Sequence, residues 1–123
     1  MITLGPLKER EKAEKLFLEH NIEFNDNRNC LTAFDGEKII GLSFYELDSE
    51  KMTVLAIEPT DDLGLADGIL RSTLHIAAER SVMKAYYADT ISEDFLNKLS
   101  FIKNKQEKLL DIDKLFKSCC SCK

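Results

Sequence analysis

A chain of 123 residues with 44% hydrophobic and 32% charged content is sized for one globular domain around a single core. Its formal net charge of −5 and pI near 5.1 exclude the clustered basic face that nucleic acid requires. No apolar run approaches the roughly 18 residues of a membrane span, and no basic segment followed by an apolar one opens the chain, so a cytoplasmic protein with neither nucleic acid nor membrane as partner is expected.

Met1 to Leu4 has the composition of a short strand. Pro6 suits the first turn of a helix, in which Ala13, Leu16, Phe17 and His20 recur at helical spacing. After the polar loop Asn25 to Asn29, the runs Cys30–Phe34 and Lys38–Leu47 flank Asp35-Gly36, a hairpin signal. Asp48 to Glu50 turns into the apolar strand Met52 to Ile57, giving three antiparallel strands in succession. The period then changes. Ile69, Leu70, Thr73, Leu74, Ile76 and Ala77 carry a helix over Gly64 to Arg80, and Val82 to Ala88 is short and β-prone. A helix crossing between two strands implies that they run parallel. Ser92 is placed to cap a helix ending near Leu99, and Phe101–Lys103 with Lys108–Ile112 form a last hairpin. The expected order is β-α-β-β-β-α-β-α-β-β.

Four cysteines are present. Cys30 stands alone, while Cys119, Cys120 and Cys122 crowd the C-terminal tail over residues 117–123, leaving 1–116 as the folded domain. A C-x-x-C pair can chelate zinc or cycle as a dithiol, yet the tail offers three ligands where a closed zinc site takes four, and His20 and His75 are distant in sequence. A mobile, oxidisable tail is the simpler reading. The prenylation box fails because the middle positions of Cys120-Ser121-Cys122-Lys123 are not aliphatic.

The region from Met52 to Leu74 is the most informative. Its strand meets Pro59 and then Asp61-Asp62-Leu63-Gly64-Leu65-Ala66, with a helix following at once. Free backbone N–H groups at a helix start just past a strand end suit a phosphorylated ligand.

With Asp35-Gly36-Glu37-Lys38-Ile39-Ile40-Gly41 leading the third strand, Ile57-x-Pro59 ending the fourth, Gly64-Leu65-Ala66-Asp67-Gly68-Ile69-Leu70 opening the helix and Leu99-Ser100-Phe101 after the last one, the chain resembles the GNAT superfamily of acyl-CoA-dependent N-acyltransferases. The resemblance extends to about Phe116 and implies an α/β (α+β) fold with a mixed central sheet whose fourth and fifth strands splay apart. It further implies acetyl-CoA as co-substrate, its pantetheine arm on the backbone of Ala56 and Ile57 and its pyrophosphate on the N–H groups of Asp62, Leu63, Gly64, Leu65 and Ala66. Asp89 takes the place of the family's asparagine near the last helix. An unprotonated primary amine of a small molecule or peptide would then attack the thioester.

The chain departs from that pattern at two places. Asp61 stands where the family has Arg or Gln, so Asp61 and Asp62 would each oppose a pyrophosphate by about 1 to 3 kcal/mol unless turned away or used as a helix cap. Leu96 stands where the family has the tyrosine that protonates the leaving thiolate; Tyr86 and Tyr87 on the fifth strand are substitutes if either points into the splay. Glu46, near the end of the third strand, and Glu58, just after the fourth, are the candidate general bases. His75 reads as a helix-surface or core histidine, and His20 as a favourable charge at a helix C-terminus. The rival reading is a GNAT-like CoA-binding or interaction module, catalytically impaired, with a metal- or redox-responsive tail. A homodimer that completes a small sheet is the third.

Overall fold

The computed structural model describes residues 2–115, so the tail cysteines Cys119, Cys120 and Cys122 and the domain boundary at 116/117 lie outside the described residues. In chain order the elements are β1 Ile2–Pro6, α1 Arg10–Glu19, β2 Arg28–Asp35, β3 Lys38–Leu47, β4 Met52–Glu58, α2 Leu63–Glu79, β5 Ala85–Tyr87, α3 Glu93–Leu99, β6 Ile102–Asn104 and β7 Leu109–Leu110. This is the β-α-β-β-β-α-β-α-β-β order expected from the sequence.

One mixed seven-stranded sheet runs β1-β2-β3-β4-β5-β7-β6. β1 to β4 are antiparallel neighbours, β5 joins β4 in parallel across the α2 crossover, and β7 returns antiparallel to β5. The hairpin between β2 and β3 turns at Gly36, whose φ of 66° is one that glycine adopts without a Cβ penalty.

Alternation along the strands sends side chains to two cores. On one face Leu31, Ala33, Tyr45, Met52, Val54 and Ile57 pack under Ile69, Leu70, Leu74 and Ala77 of α2, and α3 adds Phe95, Leu96 and Leu99. On the other face Phe17 of α1 covers Cys30, Leu42 and Phe44, with the Phe17 and Phe44 rings 4.7 Å apart edge to face. Burial pushes the Cys30 thiol up to about 12, so it is an inert core side chain.

The N-terminal helix begins later than Pro6 suggests. Pro6 ends β1 opposite Leu31, at the edge of the sheet where a missing N–H costs no ladder bond. α3 ends as the sequence implies: Ser92 accepts the Phe95 N–H, and Ser100 takes the left-handed conformation at φ 61°, ψ 37°. That backbone explains why glycine suits the middle of a Leu-x-Phe helix stop.

Candidate functional site at the open end of the fourth strand

β4 pairs with β5 only through Met52, Thr53 and Val54. One more backbone bond follows, from the Ala88 N–H to the Val54 carbonyl, and the Thr90 hydroxyl then donates to the Leu55 carbonyl at 2.8 Å. Past that point no described residue bonds the β5-facing edge of Ala56 or Ile57. The two parallel strands therefore diverge after a short pairing, the splay that the family resemblance implies.

A bulge helps to create it. Phe44 lies opposite Ala56, and Tyr45 lies opposite Val54, which leaves Leu55 as the extra residue on β4. A bulge of this kind bends its strand and re-aims the side chains beyond it. Val54 and Ile57 accordingly belong to the α2-side core, whereas Leu55 and Ala56 pack with the α1-side core.

Two close contacts fix the far end of the strand. A Cβ on Gly41 would stand 2.6 Å from Ile69 Cδ1 and 2.9 Å from the Glu58 carbonyl oxygen, so a glycine there lets β3, β4 and α2 approach. Ser43 and Thr73 meet at 2.6 Å between β3 and α2, both fully buried. A shallow cleft beside them is lined by Ile40, Gly41, Ile57, Glu58, Pro59 and Asp61.

α2 starts beside this cleft. Asp62 is its N-cap, accepting the Leu65 N–H at 3.1 Å, while the Asp62 carbonyl accepts the Ala66 N–H at 2.9 Å. The N–H groups of Leu63 and Gly64 have no bonding partner among the described residues, as the geometry of a first helical turn dictates. A carboxylate thus already occupies part of the helix's positive end, and Asp61 is exposed next to it.

The candidate bases fall at opposite ends of β4, because Glu46 lies opposite Thr53 and Glu58 opposite Leu42. Glu46 is engaged by Arg28 Nε at 3.0 Å and by Asn25 Nδ2 at 3.4 Å. Glu58 stands at the splayed end, with Oε2 3.2 Å from His20 Nε2. His20 Nδ1 lies 2.9 Å from the Leu16 carbonyl oxygen, and its ring packs 4.8 Å from that of Phe44. Burial draws the His20 pKa down, but the Leu16 carbonyl and the Glu58 carboxylate outweigh it and the net displacement is upward.

The other singled-out side chains have partners or surroundings of their own, and Asp89 falls between Ala88 and Thr90 at the mouth of the splay. Asp89 is ion-paired with Lys108. Leu96 is wholly buried. The Tyr87 hydroxyl donates to Glu93 at 2.9 Å; burial first, and then that bond and charge, push its pKa up. Tyr86 lies under the Lys51 ammonium. His75 pairs on the helix surface with Glu79 at 3.0 Å. Among the described residues no group of three or more His, Cys, Asp or Glu side chains could hold a metal ion, and no helix is long and apolar enough to cross a membrane.

Sequence reading did not find the contact between His20 and Glu58, nor the clasp of Thr90 on Leu55. Each joins residues far apart in the chain, and no local pattern announces them.

No family model matches the sequence, and no curated protein matches it. Solved structures do. A ribosomal-protein-alanine N-acetyltransferase from Brucella melitensis biovar Abortus 2308 superposes with a TM-score of 0.60 at 17% identity, covering 84% of this chain and 91% of that one. A GNAT family acetyltransferase from Elizabethkingia anophelis with acetyl-CoA bound gives 0.57 at 16%, covering 80% and 72%. An aminoglycoside acetyltransferase from an uncultured soil metagenomic sample, in complex with sisomicin, gives 0.58 at 13%, covering 84% and 88%. At such identities the likeness is one of fold, and the chain has the GNAT fold.

Proposed function

We propose that the protein is an acyl-CoA N-acyltransferase that moves an acetyl group from acetyl-CoA to a primary amine. The observation that carries this reading is the unpaired backbone edge of Ala56 and Ile57 past the Leu55 bulge, within a fold shared with acetyltransferases. A strand edge with free donors and acceptors suits the amide-bearing pantetheine arm, and the free N–H groups of Leu63 and Gly64 suit an anion. In the reaction the amine nitrogen bonds to the thioester carbon, the C–S bond breaks, and a β4 backbone N–H steadies the oxyanion. Positioning supplies most of the acceleration. Glu58 serves as the base, because Glu46 lies at the paired end of β4 and is held by Arg28.

One observation favours a second reading. Asp62 fills part of the helix start with its own carboxylate, which suits a GNAT-like module that binds CoA weakly or only interacts with a partner. Turnover decides between them. Acetyl-CoA with a peptide bearing an N-terminal alanine, and separately with sisomicin, is assayed by mass spectrometry for an added acetyl group. Acetylation of either amine above the enzyme-free rate supports the enzyme. Weak or undetectable acetyl-CoA binding, without transfer to either, favours the module.

A further inference from the structure

We infer that His20 is a positioning residue for Glu58, and that the two form one proton-accepting unit at the open end of β4, with the imidazole as the place where the acceptor amine's proton comes to rest. The inference rests on the acyltransferase reading and deepens it.

His20 closes α1, where its backbone N–H bonds the Leu16 and Phe17 carbonyls at 3.2 Å. Its ring is then pinned on three sides. Phe44 of β3 packs against one face, the Leu16 carbonyl meets Nδ1 at 2.9 Å, and Glu58 Oε2 meets Nε2 at 3.2 Å.

Both polar partners can only accept hydrogen bonds when the carboxyl is ionised. The Leu16 carbonyl therefore asks for a proton on Nδ1, and the Glu58 carboxylate asks for one on Nε2. A neutral imidazole carries one proton and must leave one of the two contacts unmade; the imidazolium satisfies both. The site thus favours arrival of a proton. The charged groups that act on the ring are Glu58 from β4 and Glu19 from its own helix, and both are acidic; from β3 the Phe44 ring packs against it. With 27% of its side chain exposed, His20 can still pass a proton to water.

Glu58 has one oxygen on His20, while Oε1 has no partner among the described residues. An ammonium held at the splay would bond this carboxylate. The N–H bond of the ammonium breaks as an O–H bond forms on Glu58; the carboxyl group turns about its Cγ–Cδ bond, and that O–H bond breaks as an N–H bond forms at Nε2 of a neutral His20. The amine becomes neutral and nucleophilic, the carboxylate ends unchanged, and the positive charge moves to the imidazole. No oxidant, reductant or other co-reactant is needed.

Two measurements test the inference, both on the full chain. The sequence has two histidines, so the ring proton of His20 is assignable by comparing wild type with His75→Gln. Its NMR titration midpoint should lie above the ordinary histidine value and fall in Glu58→Gln. A midpoint that Glu58→Gln leaves in place overturns the pairing. The second measurement is kcat/KM against pH with the amine found to be acetylated. Wild type should show an ascending limb at the NMR midpoint of His20. His20→Gln should lose that limb and about 10- to 100-fold of the plateau rate, with the acetyl-CoA dissociation constant unchanged. An unaltered profile and rate in a folded His20→Gln protein overturn the inference while leaving the acyltransferase reading intact. Absence of acetyl-CoA binding, or of turnover, in wild type overturns both together.

Discussion

The Asp62 carboxylate accepts the Leu65 N–H at 3.1 Å, so the first turn of α2 is capped from within, at the place where a phosphorylated ligand would seek the same donors. The cap is useful to the helix and adverse to an anion. Removing only the charge separates these effects, because Asn caps nearly as well as Asp. Asp62→Asn should change stability by a few tenths of a kcal/mol, whereas Asp62→Ala should cost about 1 kcal/mol in denaturant unfolding. Asp62→Asn and Asp61→Asn should each tighten acetyl-CoA binding by roughly two- to tenfold at low ionic strength and by less in high salt, since both carboxylates are exposed and screened. Weaker binding in the Asn variants would mean that the acids order the loop for the ligand.

The buried contact of Ser43 with Thr73 has a definite direction. Thr73 Oγ1 donates its one proton to the Ile69 carbonyl at 2.7 Å, so the Ser43 hydroxyl must be the donor to Thr73. Thr73→Val then strands a buried donor and should cost about 1 to 3 kcal/mol, more than Ser43→Ala at about 0.5 to 1.5 kcal/mol. The double variant should be more stable than the sum of the two losses predicts, a coupling that a double-mutant cycle of urea unfolding reads directly. Strict additivity would contradict the assigned direction.

Ser100 holds a left-handed backbone at φ 61° as the C-cap of α3. A residue with a Cβ pays roughly 1 kcal/mol there, and glycine pays none. Ser100→Gly should therefore stabilise the protein by up to about 1 kcal/mol, raising its melting temperature. A loss of stability would show that the serine side chain has a compensating contact.

His20 gives the fold a pH dependence of definite sign. Its folded pKa is raised above the unfolded value near 6.5, by the Leu16 carbonyl and the Glu58 carboxylate acting against burial, so folding favours the protonated ring. That contribution is fully present below the unfolded pKa and is lost as pH rises through the folded one. Unfolding free energies of wild type and His20→Gln should differ more at pH 5.5 than at pH 8.5. An equal difference at both would assign the histidine a packing role alone.

Much of the architecture was legible because it rests on local chemistry. Asp35-Gly36 makes a hairpin for backbone reasons, the α2 stripe has helical period, and Ser92 caps α3 through its own hydroxyl. The start of α1 was not legible. Glu9 is its N-cap and makes no side-chain cap bond, and Pro6, a helix-start signal in isolation, is equally at home in an edge strand. At the site, Glu58 and the segment around Asp62 could be placed near a strand end from order alone. The Leu55 bulge could not, because an apolar run such as Val54-Leu55-Ala56-Ile57 reads the same whether its phase slips or not. The pairing of His20 with Glu58 depends on where α1 ends over the sheet, which is a property of packing.

An acyltransferase of this build must take up acetyl-CoA along the open edge of β4 and the first turn of α2. Titration of the isotopically labelled protein with acetyl-CoA, following backbone amides by NMR, tests it most directly. Saturable shifts concentrated at Ala56, Ile57, Leu63 and Gly64 are expected, together with a stabilisation of about 2.7 kcal/mol at 100 times the dissociation constant. A folded protein that shows no shifts and no stabilisation at millimolar acetyl-CoA, or saturable shifts confined to other surfaces, would contradict it.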